Sequence, residues 1–578
     1  MKSPIMLLTA LAAGCLAAVD IPDTRLATYV TPARILWISP EDGCSVKDAE
    51  LLLGPRFGQV PEGAFWKGSG CLLTNAGKRP GLLLDFGREI HGGIELGCGL
   101  YTEDAELTRS TVACRVRFGE SVSEAMAELG ERGTGNWHAM RDTVETVMST
   151  GLRTFGDTGF RFVRIDLVDE GTLQLDYVRA VSKMRPMQSR GAFRSSDERL
   201  NRIYATAVQT AHLCAQRFIW DGIKRDRLVW GGDMYPQVVT ILSVFGDDPV
   251  VIDSIDYLGK VTPPDKWMCI PSYSMWWIRA LRDWYFFTGD AGAIRERADY
   301  LRATFDHLSK HIAEDGRCTV SNAVLDWPTR KNPPAAVAGH QALFSDTFRR
   351  GAEIAEALGD AAWAADMTAK AAKTALAGLE PHGSKPAAAM LAYGGLRDSK
   401  EMFAESLGCG GHNGISTFFG YFMIETMSAA GENQHALDTI RDYWGAMLDM
   451  GATSFWESFD ISWTNNATRI DELPVPGKKD IHGDYGEFCY KGCRHSLCHG
   501  WSCGPAAWCI HHVLGIRALD AGCKTVAVKP FLGDLEWAEG AMALPGGKAL
   551  KVRVEKRADG TLKTSVSSPE GVKVIVTE

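Results

Sequence analysis

The spacing of apolar residues changes period twice along this 578-residue chain, and that double change limits the folds open to it. From about Ile21 to Met187 the apolar residues form short runs of period two, such as 81–86, 112–118 and 160–167, parted by Gly, Asp and Ser. Such runs are strands, and at this frequency they build a β-sandwich or jelly roll. Near Gly191 the period becomes that of one helix face, and it stays so to about Leu514. The helical segments include 200–218, 237–245, 250–259, 273–288, 336–358 and 416–430, and Ser195-x-x-Glu198 reads as a capping box before the first of them. Ten or more helices with charged and aromatic residues gathered in the loops between them predict an α/α toroid rather than a simple bundle. After Gly515 strands return at 525–530, 550–555, 562–566 and 572–576. The order is β, α, β, with expected domains at 19–189, 190–515 and 516–578.

A net charge of −9, with no Lys/Arg run, argues against a nucleic-acid role, which needs a basic face. Residues 1–18 read as an export signal: Met1-Lys2, an apolar run too short to span a bilayer, then small residues. Ala12-Ala13-Gly14-Cys15 resembles a bacterial lipobox with Cys15 as the lipidated residue, ordinary cleavage near Ala17 or Ala18 being the alternative. Either way the mature protein is expected in the periplasm or at the cell surface. Cys489, Cys493, Cys498, Cys503 and Cys509 cluster without CxxC spacing. This points to a local disulfide or buried thiols rather than zinc, so no metal or cofactor is expected.

Four islands carry chemistry. The first runs from Phe218 to Gln237 and crowds Asp221, Lys224, Arg225, Asp226, Arg227 and Asp233 against Trp220 and Trp230. Charges are seldom packed beside aromatics unless paired or facing a ligand. The second, Gly451-Ala-Thr-Ser-Phe-Trp456-Glu457, places a carboxylate one residue after an indole at a helix exit. In the third, 495–505, His499 and Trp501 open the last helix of the central region. The fourth joins Asp326 and Trp327 to the aromatic-rich stretch of Trp267, Tyr273, Trp276 and Trp277. Any one Trp is more often core than ligand wall. Carboxylate–aromatic islands recurring at separate helix junctions point to a shared sugar site.

These motifs resemble glycoside hydrolase family 78, the α-L-rhamnosidases, over nearly everything after the export segment. Asp221-x-x-x-Arg225-Asp226 with Trp230-x-Gly232-Asp233 is similar to the family's acidic signature, 451–457 to its second catalytic motif, and Ser496-Leu-x-His499 with Gly504 to its third. Lys529 to Gly540 is a looser match to the start of its C-terminal β domain. The resemblance implies a central (α/α)6 barrel flanked by an N-terminal and a small C-terminal β-sandwich. It also implies inverting removal of terminal α-L-rhamnosyl residues, with Asp226 as general acid and Glu457 as general base. Asp221, Arg225, Trp230, Asp233, Trp276, Trp277, Asp326, Trp327, Trp456, His499 and Trp501 would contact the sugar.

One departure stands out: Asp226 occupies the place of the family's acid Glu. It is one methylene shorter, which moves the proton donor by roughly 1.5 Å. Pairing with Arg225 would oppose an acid's role, so the expectation is that Arg225 turns to the sugar, Asp221 or Asp233, and that Asp226 lies against Trp230 or another apolar wall. Two alternatives stay open: a carbohydrate-binding homologue impaired in catalysis, and a toroid hydrolase for another sugar.

Overall fold

The computed structural model describes residues 23–53, 70–99, 110–488 and 490–577. The expected export segment, Cys15 and Cys489 lie outside them. Nine strands from Leu26–Val30 to Gly171–Met184 form one hydrogen-bonded antiparallel sheet, where the sequence predicted two facing sheets. Three long strands make it continuous: Gly81–Gly99, Leu152–Leu167 and Gly171–Met184. Their register shifts at Asp85/Ile90, Gly92/Ile94 and Gly97/Cys98, and such irregularities bend a strand. At Gly92 and Gly93 a Cβ would collide with the carbonyls of Val181 and Phe155, so only glycine lets the strands approach there. Alternating apolar residues look the same in two sheets or in one bent sheet, which is why the pattern did not distinguish them. One face buries Leu82, Phe86, Ile94, Phe118, Phe160 and Ile165. On the other face Leu83 and Phe162 meet Val122 and Ala125 of the short helix Val122–Met126.

The helical region begins at Glu198–Cys214, whose cap is Asp197 rather than the expected Ser195. Asp197 Oδ1 accepts from Leu200 N at 3.1 Å, whereas Ser195 ends the strand Ala192–Ser195 and faces Asn201. Helices follow with short breaks, among them Met234–Val244, Pro271–Thr288, Pro333–Ala357 and Gly420–Ala429. They share a core that contains Trp276, Trp277, Trp444, Trp508 and Phe422.

The final strands form a four-stranded and a three-stranded sheet. Ala192–Ser195 pairs antiparallel with Trp537–Leu544, so the strand that precedes the first helix belongs to the C-terminal sheet. Val526, Ala538 and Val552 of these sheets lie in the same apolar cluster as the helices. The described cysteines are free thiols. Cys493, Cys498, Cys503 and Cys509 are buried free thiols, Cys498 beside Cys214, so the thiol reading holds for them and the local disulfide does not. No described helix is long and apolar enough to cross a membrane.

Candidate active site

Asp221 closes the first island on itself. Its amide donates to Leu228 O and its Oδ1 accepts from Leu228 N, both at 3.0 Å. Gly222 bridges to His499 and Gly500 N donates to Asp221 O, so the first and third islands are one structure. Within the closed loop Asp226 and Arg227 both take φ near +53°, a left-handed conformation that costs a non-glycine residue about 1–2 kcal/mol. Such strain persists where surroundings over-determine it, as at functional sites.

Arg225 is the centre of the site. One terminal nitrogen pairs with Glu457 and the other lies 3.2 Å from Asp226. Its Nε donates to Arg494 O at 3.0 Å, and its guanidinium lies 4.4 Å over the Tyr490 ring. This corrects the expectation for both residues: Arg225 joins the two carboxylates, and Asp226 meets Arg225 and His138 rather than an apolar wall. The Asp226 side chain is 20% exposed, and its charge still reaches the buried Asp221, Asp233 and His499.

Glu457 is held on several sides. Its helix ends at Gly451, left-handed at φ +95°, and the chain then turns inward. Glu457 N donates to Ser496 O, and Glu457 Oε2 accepts from Ser496 N at 3.0 Å. Its carbonyl accepts from Thr417 Oγ1 and from Trp501 Nε1. His499 Nε2 lies 3.6 Å from Glu457 and 3.8 Å from Asp221. Burial holds His499 well below the usual imidazole range, so it is neutral near pH 7.

Asp233 precedes the helix Met234–Val244 and accepts from Tyr273 OH at 2.7 Å. A Cβ at Gly232 would run into the Tyr273 ring, so the Gly231-Gly232 pair admits this contact. Burial pushes the Asp233 carboxyl up to about 8, and burial with the neighbouring Asp226 and Asp233 charges raises Asp221 too. Asp326 caps the turn Trp327–Lys331 and accepts from Ser416 Oγ; burial pushes it up to about 6. Trp327 packs 5.4 Å from Tyr490, which links the fourth island to Arg225.

The tryptophans divide. Trp230, half-buried beside Tyr273, and Trp327 border the site. Trp276 stacks on Phe422 and Trp277 donates to Ile255 O; both are helix–helix core and leave the sugar-contact set. Trp501 is a strut that stacks on Phe418 and fixes Glu457 O. Trp456 is buried against Phe459 with its Nε1 unpartnered. An indole is equally apolar in a core and in a sugar wall, so sequence alone did not separate these roles.

Three contributors were missed. Tyr490 stands in an aperiodic loop, and His138 and Glu120 come from the connection between the strands Thr111–Gly119 and Asp142–Met148 of the N-terminal sheet. Glu120 accepts from Ser496 Oγ at 3.1 Å and from Leu497 N, and pairs with the buried Lys224 at 3.0 Å. Glu120, Glu124 and His482 lie close enough to share a cation. The Lys224 ammonium already fills that place, 3.3 Å from Glu124, while His482 faces Ser121 Oγ and His495 O.

Residues 188–377 match the bacterial alpha-L-rhamnosidase 6 hairpin glycosidase domain, and 515–577 match the bacterial alpha-L-rhamnosidase C-terminal domain. No curated protein matches the chain in sequence. Among solved structures, the GH78 family rhamnosidase of Bacillus sp. GL1 superposes with a TM-score of 0.71 at 22% identity, over 86% of this chain and 53% of that one. An alpha-L-rhamnosidase from Dictyoglumus thermophilum gives 0.70 at 16% identity over 95% and 58%, and a rhamnosidase from Klebsiella oxytoca with rhamnose bound gives 0.62 at 18% over 84% and 96%. The chain thus spans just over half the length of the first two. At such identities the superpositions speak for the fold alone. The chain is a multidomain α and β protein that carries the six-hairpin glycosidase and C-terminal domains of the bacterial α-L-rhamnosidases and has the fold of glycoside hydrolase family 78.

Proposed function

We propose that this protein is an exo-acting, inverting α-L-rhamnosidase whose helices close as an (α/α)6 barrel around the site described above. One observation carries the reading: the Arg225 guanidinium joins Glu457 to Asp226, so two motifs more than two hundred residues apart converge on one point. Inversion requires two carboxyls roughly 6.5–9.5 Å apart, with a water admitted between the base and the sugar. A guanidinium between the carboxyls keeps them from touching. Glu457, fixed through Ser496 N, takes the proton of the attacking water; Asp226 protonates the departing oxygen. Neutral His499 and Asp233, whose carboxyl burial pushes up to about 8, are donors to the sugar hydroxyls, and Asp221, raised by burial, lies beside them. Trp230 and Trp327 offer the apolar surface that the C6 methyl of rhamnose needs. Export, with Cys15 as lipid anchor, is proposed with this activity; Cys15→Ser should release the protein from the membrane fraction.

A second reading concerns the acid alone. Burial keeps a proton on Asp233 to about pH 8, as a general acid requires, whereas Arg225 touches Asp226. Leaving-group dependence decides between them. Glu457→Gln should abolish hydrolysis of every rhamnoside. Loss of the acid harms substrates with poor leaving groups far more than p-nitrophenyl α-L-rhamnoside. If Asp226→Asn shows that contrast, Asp226 is the acid; if Asp233→Asn alone shows it, the assignment moves. Absence of p-nitrophenol release by the unsubstituted protein would sink the rhamnosidase reading.

A further inference from the structure

A general acid fixes a direction. It must touch the glycosidic oxygen, so whatever that oxygen carries away lies on the acid's side of the scissile bond. Asp226 is partly exposed between Arg225 and His138, and the second of these comes from the N-terminal sheet domain. His138 Nδ1 lies 2.6 Å from Asp226 N and 2.7 Å from Asp226 Oδ1. Arg227 binds the same segment, donating to His138 O at 2.7 Å. The segment is well formed. The Asn136 side chain accepts from the amides of Arg141 and Asp142 and donates to Asp142 O, which closes 136–142 into a fixed turn.

This turn presents Trp137. Its position is built on both sides: a Cβ at Gly135 would lie 2.5 Å from the indole Nε1, and the Arg494 guanidinium lies 4.9 Å over the ring. Arg494 also accepts from Arg225 through its carbonyl, so the indole is tied to the centre of the site. Yet Trp137 remains 53% exposed, and Met140 and Leu228 beside this seam are 55% and 47% exposed. A small cavity lined by Trp137, His138, Arg225 and Arg494 adjoins it. A tryptophan held by a guanidinium and left open to solvent next to a glycosidase's proton donor is suited to stack a ring.

We propose that the turn 135–141 of the N-terminal domain is the leaving-group site, with Trp137 as the stacking surface for a ring-bearing leaving group, sugar or phenol. The inference rests on the assignment of Asp226 as acid. Rhamnose itself would sit on the other side, among Asp221, Asp233, Glu457 and His499, and would not touch Trp137.

The test measures binding in the Glu457→Gln background, where ligands survive. Three ligands are titrated: methyl α-L-rhamnoside, p-nitrophenyl α-L-rhamnoside and an α-L-rhamnosyl-glucose disaccharide. Adding Trp137→Ala should weaken one or both of the ring-bearing ligands by roughly three- to tenfold, the scale of one stacking contact, and leave the methyl glycoside unchanged. Trp137→Phe should restore most of the loss. The ring ligand that loses more identifies the leaving group as phenol-like or sugar. Equal loss for all three ligands, or loss for neither ring ligand, overturns the leaving-group site while the rhamnosidase reading stands. Failure of the Glu457→Gln protein to bind any of the three overturns that reading and the site with it.

Discussion

At the scale of the residue, Arg225 decides more than any other side chain. It is buried with Glu457, and a guanidinium reaches two carboxylates at once through separate nitrogens. A lysine in its place keeps the charge and loses the bridge, so Arg225→Lys should cut kcat about a hundredfold, the scale of a misplaced catalytic group, with a smaller change in Tm. Asp233 makes a separate prediction about pH. Its folded value near 8 stands above the ordinary 3.8, so between those values the folded chain holds a proton that the unfolded chain has released. Stability attributable to this group is therefore lost as pH rises from about 4 toward 8. Melting across that window should show a steeper decline for the parent than for Asp233→Asn, in which an amide can still accept from Tyr273; parallel curves would reject the shift. That acids, arginines and indoles crowd at 218–237 was legible in the sequence because charge beside aromatic surface is rare without a reason. Which acid Arg225 takes was not legible, since Glu457 is 232 residues away and the loop's two left-handed residues set the direction.

At the scale of the element, the helix Pro271–Thr288 shows why periodicity stops short of function. Residues 271–281 are buried all round, so this helix has no polar face to mark which side meets a cavity. Tyr273 reaches Asp233, and Trp276 and Trp277, one turn on, do not. Truncating Trp277 to Ala should therefore cost about 3–5 kcal/mol of stability in denaturant melts, as large core truncations do, with KM for a rhamnoside unchanged. A raised KM with unchanged stability would return Trp277 to the sugar wall. The strand Ala192–Ser195 carries the converse lesson. Its sequence abuts the first helix, but its hydrogen-bond partner is Trp537–Leu544, more than three hundred residues on. A local pattern identifies the strand and is silent on its neighbour.

At the scale of the whole molecule, the N-terminal sheet acts as a wall of the site. Arg161, paired with Asp85 in the sheet, donates to Gly451 O at 2.9 Å, and Glu89 N donates to Thr453 Oγ1 at 2.9 Å. The deepest tie is Lys224, from the first island, buried between Glu120 and Glu124 of the sheet domain and donating to Cys493 O and His495 O. Burial pushes Glu120 up to about 7 against the pull of the Lys224 ammonium. Breaking a buried pair from one side strands a charge and costs about 3–5 kcal/mol, whereas replacing both partners costs less than the two losses together. Lys224→Met strands both carboxylates and should lower stability by about that amount; Glu120→Gln leaves Lys224 paired with Glu124 and should cost less, and the double variant should lose at least about 0.5 kcal/mol less than the sum of the two. Because Glu120 also orients Ser496, whose amide holds Glu457, Glu120→Gln should lower kcat at nearly constant KM. Calorimetry of the parent should show the sheet and the helices melting in one transition. Two transitions, with Glu120→Gln shifting the first alone and kcat intact, would mean that the sheet domain is an independent neighbour and that the site belongs to the helices.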